Sequence, residues 1–346
     1  MKVKLLFCDP SQCGMTVSIQ GGIRMFTKRF SKSIGASAIA LGTSLLLAPV
    51  AAAETRVTLK SASSTSSYYV MMVQLGEMLS AQSDGAIQPT VEESQGSVQN
   101  VAEAGRRPGA FLFTTPPNLI ANAQAGEAPF EQGNYESIRT LFPMPFITIH
   151  LVVRADSDIH SVADLSGRSF ISGGTGTFCQ GQVASIFETL GIADSVTAPE
   201  MELSGAPAAL RNNQVDGYAT CSAHPTPQVQ ELAATLPVRI LSFTDDERAA
   251  IIEANPGAGA VTVAANTYAG VDDEIATMAV PVGAYATNMD DETALAIVSA
   301  FWEQRADMAD TNPWWAGVTP DLVPQLGASL HEGVVAFYAE QGVDMP

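Results

Sequence analysis

Apolar residues recur along the chain at two spacings, and the switches between them mark out the elements. Arg56 to Leu59 alternates polar and apolar, the period of a strand with one buried face. A hydroxyl-rich stretch, SASSTSSYY, follows. Tyr68, Met71, Met72, Leu75 and Leu79 then fall on one side of a 3.6-residue turn, which predicts a helix stopping at Asp84-Gly85. Gln88 to Glu92 predicts a second strand entering a second polar loop, SQGSVQN, where Ser97 is placed to cap the next turn, and Phe111 to Phe113 a third strand. This repeat is the rhythm of a parallel sheet covered by helices. Ligands of such sheets sit at the carboxyl ends of the strands, where these loops lie.

Phe146 to Arg154 (FITIHLVVR) is a long apolar run without a cap at either end, and predicts a strand crossing into a second domain. HSVADLSG predicts a short helical turn. In RSFISGGTGTFCQGQVASIFETLGI, the run Ser169 to Ile171 ends in a glycine-rich turn, and Val183, Ile186, Phe187 and Leu190 repeat at helical spacing. Thr177 and Gln180 have the form of a capping box, and Gly191 is placed as the helix stop. Further on come a helix with Pro207 near its start, a strand over Val215 to Thr220, a helix opened by Thr226-Pro227 and a strand over Val238 to Phe243. Ala276 to Ala286 predicts the return crossing, with Pro281 marking an edge or bulge. The remainder is helical: Leu295, Val298, Phe301 and Trp302 form one stripe, Thr319-Pro320 starts another helix, and Leu330 to Tyr338 predicts a last one.

The fold class is therefore α/β, as two lobes joined by a hinge with a cleft between them. Residues 54–150 build the first lobe, 151–279 the second, and 280–346 return to the first. Four polar loops face the cleft: Ser61 to Tyr69, Ser94 to Asn100, Ser172 to Thr177 and Thr220 to His224. A glycine-rich helix start offers unpaired N–H groups, the positive end of a helix dipole and hydroxyls, here those of Ser172, Thr175 and Thr177, so SGGTGTF suits a small anion.

Composition then narrows the setting. Met25 to Lys32 is basic, Ile34 to Val50 is apolar and small, and Ala51-Ala52-Ala53 fits a cleavage site, so residues 1–53 read as an upstream extension plus a secretory signal peptide. Removing them takes away six basic residues and one acidic one, which leaves eleven against thirty-five and moves the net charge from −19 to −24, with Lys60 the one lysine left. A surface this acidic excludes nucleic acid and anionic membrane as partners. No later apolar run is long enough to span a bilayer, so a soluble periplasmic protein is expected. Cys179 and Cys221 remain in a compartment that permits disulfides, and both a bridge and two buried thiols are open.

Several stretches together resemble one family. SSTSSYY, ESQGSVQN, AGEAPFEQGNYESIRTLFPMPFITIHLVVRADSDIHSVADLSGRSF, GGTGTF, VDGYAT with His224-Pro225, NTYAGVDDE and HEGVVAFYAEQG run in the order seen in the TAXI subgroup of substrate-binding proteins for tripartite ATP-independent periplasmic (TRAP) transporters. The resemblance implies a type II periplasmic-binding-protein fold. It also implies reversible binding of a small carboxylate, glutamate-like or a 2-oxo acid, and delivery to TRAP permease subunits by a protein that is a monomer and not an enzyme. Carried over by position, it implies a pocket made by Ser63, Ser64, Thr65 and Tyr69, by Gly96 and Ser97, by Gly174, Thr175, Gly176 and Thr177, and by the loop before His224. Two departures touch that pocket: Pro116-Pro117-Asn118 stands where many members have Gln-Ser-Asp, and Ser222-Ala223 stands where Gly-Gly is usual. Asn118 and Ser222 join the candidate set at those places.

Other residues carry less. Thr177 and Ser97 are expected as caps whose neighbouring N–H groups meet the ligand, and His224 either orders its loop or contacts solute. His150, His160 and His331 show no metal-ligand spacing, so neither a metal nor a cofactor is expected. Asp272-Asp273-Glu274 and Asp290-Asp291-Glu292 are expected as solvated helix starts, and Arg154 as half of a structural ion pair. A serine hydrolase needs a base beside its nucleophile, and no histidine lies in a G-x-S-x-G elbow. A receptor serving a sensor or another transporter type is the second reading.

Overall fold

The computed structural model describes residues 54–343. The expected leader, residues 1–53, lies outside them.

The first three strands are parallel. β1 (Thr55–Lys60) lies between β2 (Ile87–Glu92) and β3 (Ala110–Thr115). Helices α1 (Ser67–Gln82) and α2 (Ser97–Ala104) make the crossovers, and α3 (Pro117–Ala125) follows β3. Met71, Met72 and Leu75 are fully buried on α1, each burial worth about 1.5–3 kcal/mol. The helix ends where its apolar stripe does, and Asp84 and Gly85 turn the chain with positive φ.

β4 (Arg139–Arg154) is the long strand expected at the crossing, and it starts seven residues before the apolar run that announced it. Pro143 and Pro145 hide the early part from a reading by strand propensity. Register shifts in the pairing of β4 with β9 (Ile275–Thr287), between Thr140 and Phe142 and between Met144 and Ile147, accommodate them. Pro281 of β9 lies at the second irregularity, between Val280 and Val282.

β5 (Phe170–Ile171), α4 (Phe178–Thr189), α5 (Ala206–Arg211), β6 (Gly217–Ser222), α6 (Pro227–Ala233), β7 (Val238–Leu241), α7 (Asp245–Ala254) and β8 (Gly259–Val263) lie between the two crossings. The whole sheet runs β2-β1-β3-β9-β4-β6-β5, with β7 added to β4 and β8 to β9. At Thr148 β4 changes neighbours: it is paired there with Ala279 of β9 and Ser222 of β6, and beyond it β6 and β7 take over. A buried cluster around Val152, Tyr218, Val229 and Tyr268 packs the later elements, while the larger core runs through both crossing strands.

After β9 the chain is helical: α8 (Asp291–Thr311), 3₁₀ turns over Pro313–Gly317, Pro320–Leu326 and Glu332–Val334, and the short α9 (Val335–Glu340). Asp290 caps α8 through Thr293 N, in keeping with an acidic helix start. Asp272-Asp273-Glu274 is not one. It is an exposed turn that leads into β9. The α7 capping box, Thr244 with Glu247, is a motif the apolar pattern passes over because the helix buries only Ile251. No described helix is long and apolar enough to cross a membrane.

Candidate functional site

A cavity of about 410 Å³ opens where β1, β2, β3 and β6 end, with Ile147 of β4 and Val282 of β9 on its lining. Three helix starts meet there: Ser66, the N-cap of α1; Gly96 and Ser97 at the head of α2; and Thr177, Phe178 and Cys179 at the head of α4. The first N–H groups of a helix have no partner inside it and carry its positive partial charge. Those of Ser97, Val98, Phe178 and Cys179 have no acceptor among the described residues. The one acidic or basic side chain on the lining is that of Glu93. Lys60, immediately before the lining residue Ser61, is taken up elsewhere: its Nζ lies 3.1 Å from Glu103 and 3.4 Å from Glu92. Arg107 also grips Glu92 and holds its carboxyl below the usual range. Any anion in the cavity therefore meets neutral donors, helix dipoles and the Glu93 side chain, with no lysine or arginine among the lining residues.

The sequence candidates divide. Ser63, Ser64, Thr65, Gly96, Ser97, Thr177 and Ser222 line the cavity; Tyr69, Asn118, Gly174, Thr175, Gly176 and His224 do not. Helical geometry explains the first of these: Tyr68 turns inward, with its hydroxyl donating to Pro145 O, and Tyr69 is carried around α1. Asn118 sits in the first turn of α3. Ser97 is the first residue of α2 and not its cap; Gly96, with φ of 103°, takes that place without a side-chain bond.

The glycine loop spends more of its donors on itself than its composition suggests. Thr175 N donates to Met201 O (3.1 Å), Gly176 N to Gln180 Oε1 (2.8 Å) and Thr177 N to Gly174 O (3.3 Å). Only half of the expected capping box forms. Thr177 Oγ1 accepts from Gln180 N, but the Gln180 side chain serves Gly176. The Thr177 hydroxyl donates back to the loop carbonyls, 2.8 Å away. Thr175 and Gly176 are exposed, and Ser172 is not on the lining, so the loop gives the cavity Gly173 and the N–H groups that follow its cap.

Cys179 and Cys221, both on the lining, are joined by a disulfide that ties the second residue of α4 to β6. Across the cavity, the loop after β1 is tied to the loop after β6. Ser67 Oγ donates to Ala223 O at 2.8 Å, so its 2.6 Å contact with Ser222 Oγ must be an accepted bond. Ser222 has then used its one proton and accepts from Ser66 at 3.0 Å. Proton counting thus makes Ser222 the middle of a hydroxyl chain, not a donor to solute. Gln228 N, donating to Thr65 O at 3.2 Å, closes the same junction.

Behind this wall, Thr148 Oγ1 donates to Ser222 O and so receives its 3.3 Å bond from His224 Nδ1. His224 orders its loop, and burial lowers its pKa. His150 is buried on β4, and Tyr268 OH lies 3.0 Å from its Nε2. Burial first, and then the nearby His224, lowers its pKa to about 3. Arg154 forms a forked pair with Asp156 at the end of β4. Ligand-type atoms of Asp291, His331 and Glu332 come within 4.8 Å of one another, a proximity that spacing along the chain conceals. Both nitrogens of His331 have partners already, Gly333 N and Met289 O, and Glu332 pairs with Arg139.

The fold and this cavity stand beside a family match. The model of the NMT1-like family aligns with residues 59–342. The chain belongs to the NMT1-like family. Among solved structures, this NMT1-like protein is similar to the periplasmic binding protein BugD, at 13% identity over 83% of this chain and 93% of that one, with a TM-score of 0.52. It is also similar to the periplasmic aliphatic sulphonate binding protein SsuA from Escherichia coli (15% identity, 83% of each chain, TM-score 0.46). A third is a TRAP periplasmic solute binding protein from Desulfovibrio salexigens, solved in complex with diglycerolphosphate (14% identity, 85% of this chain and 86% of that one, TM-score 0.44). The fold of this NMT1-like chain is the mixed α/β fold of periplasmic binding proteins.

Proposed function

We propose that this protein is an extracytoplasmic receptor that binds a small organic anion, an amino acid or other carboxylate, reversibly in the cavity. The observation that carries the reading is the meeting of the α1, α2 and α4 starts on one cavity whose lining holds no cation. Such a site stabilises a carboxylate through N–H groups and hydroxyls. The lining also holds serines with no histidine among them, which favours binding over nucleophilic chemistry. The disulfide fits an oxidising compartment outside the cytoplasm. In this reading residues 54–150 with 280–346 form one lobe and 151–279 the other. They close about β4 and β9 as ligand binds, and the protein acts as a monomer.

The TAXI-like motifs support delivery to a TRAP permease; neighbouring genes for one small and one large multi-span membrane protein would agree with that, and their absence would favour a sensor. The binding reading is tested by melting the protein with a panel of small acids, amino acids and neutral solutes. A ligand at a hundred times its Kd adds about 2.7 kcal/mol, a rise of roughly 4 °C for a domain of this size. A panel in which no solute moves the melting temperature would sink the receptor reading.

A further inference from the structure

Glu93 differs in kind from the other residues on the cavity. It stands one residue past the end of β2 and is exposed, so its carboxylate can be reached from the cavity it lines. Glu92, just before it, is engaged by Arg107 and Lys60, and both of these cations also hold Glu103 of α2. Glu93 takes no part in that network, and it has no hydrogen-bond or ion-pair partner among the described residues.

The backbone that carries it is fixed. Ser94 N donates to Ala62 O at 3.3 Å, and Ser94 Oγ donates to Ser61 O and accepts from Gly96 N, each at 2.9 Å. These bonds moor the turn after β2 to the loop after β1, so Glu93 is held on the cavity rather than on a swinging loop. A fixed carboxylate with no cation on the lining acts with opposite sign on the two kinds of charge a ligand can carry. It repels an added carboxylate, and it attracts and accepts from a protonated amine. The helix starts and hydroxyls supply the donors for an anionic end, and Glu93 supplies an acceptor of full charge for a cationic one. A lining with both poles fits a zwitterion better than a plain acid. We infer that Glu93 receives a protonated amine of the ligand, and that the ligand is therefore an amine-bearing carboxylate rather than an acid without a cationic group, 2-oxo acids included.

This rests on the receptor reading above and divides the carboxylates that reading admits. The test is calorimetric titration with pairs that differ in the amine: alanine and propionate, phenylalanine and 3-phenylpropionate, glutamate and glutarate, and 4-aminobutyrate and butyrate for an amine at the far end. The best acid of the melting panel enters with its own partner. In the skeleton that binds, the amine-bearing acid is expected to bind at least about tenfold more tightly, the scale of a hydrogen bond between charged groups. Glu93→Gln keeps the shape and removes the charge. It should weaken the amine-bearing acid about tenfold or more, and leave the amine-free acid bound as tightly as before or more so. Glu93→Asp keeps the charge and should keep the order of each pair. Without ligand, Glu93→Gln should melt within about 1 °C of the parent, because an exposed side chain without partners adds little to folding, so the loss is one of binding. An amine-free acid that binds the unaltered protein as tightly as its partner, or a preference that survives in Glu93→Gln, overturns the role of Glu93 and leaves the receptor standing. If no acid binds at all, both readings fall for carboxylates.

Discussion

The disulfide between Cys179 and Cys221 joins one of the cavity's helix starts, the head of α4, to the strand that carries Ser222, and removing it should be felt twice. The bridged residues are 42 apart in sequence. Chain-entropy reasoning for a loop of that size gives about 4 kcal/mol as the stabilisation lost when the link is cut, and 2–4 kcal/mol is the usual range. With roughly 0.6 kcal/mol per degree of unfolding entropy for about 290 residues, this lowers the melting temperature by about 3–7 °C. Cys179→Ser with Cys221→Ser, followed by urea unfolding beside the oxidised parent, measures the stability term. Calorimetry with the best ligand from the panel measures the second effect. The two serines no longer hold α4 against β6, so affinity should drop about tenfold or more when the helix start is free to shift. A double variant that loses less than about 1 kcal/mol would show that the bond constrains little in the unfolded chain. A variant that loses the stability but binds ligand as tightly as the parent would refute its role in holding the site.

Three further outcomes follow from the same geometry. Ser222→Ala removes the middle of the hydroxyl chain and leaves Ser66 and Ser67 short of a partner, which should cost about 1–2 kcal/mol in urea unfolding and weaken ligand binding; unchanged stability would show that the chain does not hold the loops. Gly174→Val combines a φ of +89° with a clash at Leu203 and should cost more than about 3 kcal/mol of folding stability, whereas Gly176→Ala, at φ of +74° with open space around it, should cost about 1 kcal/mol and leave affinity nearly intact. For His150, the folded pKa of about 3 lies below its ordinary 6.5, so the unfolded chain takes the proton first and stability is lost as pH falls from about 6.5 towards 3. Between pH 7 and pH 5 the parent should lose about 2 kcal/mol more than His150→Phe, as read by urea unfolding. His224 remains in both proteins, so the comparison isolates His150, and equal losses would contradict its burial as a neutral ring.

What the sequence determined by itself is local. The spacing of Met71, Met72, Leu75 and Leu79 fixes α1 because burial of one helical face needs only residues on that helix. Thr177 stands as the cap of α4 for the same reason, and the order of strands and helices announces the α/β fold. The sequence also pointed to the loops that come together, since polar loops at strand ends have nowhere else to go in such a sheet. Only the tertiary structure decided which of their atoms are free. Gly176 N is consumed by Gln180, Ser222 by two serines 155 and 156 residues away, and Lys60 by carboxylates 32 and 43 positions along, none of which leaves a periodic trace. The inward turn of Tyr68 was legible in the stripe it shares with Met71, Met72 and Leu75, whereas the early start of β4 rests on strand pairing that tolerates Pro143 and Pro145. Gln228 shows the difference most clearly. In the sequence it is one more polar residue of a short helix; in the fold it is buried, its Nε2 held by Leu203 and its Oε1 without a partner among the described residues, because hydrogen-bond satisfaction belongs to the whole packed molecule and not to any stretch of chain.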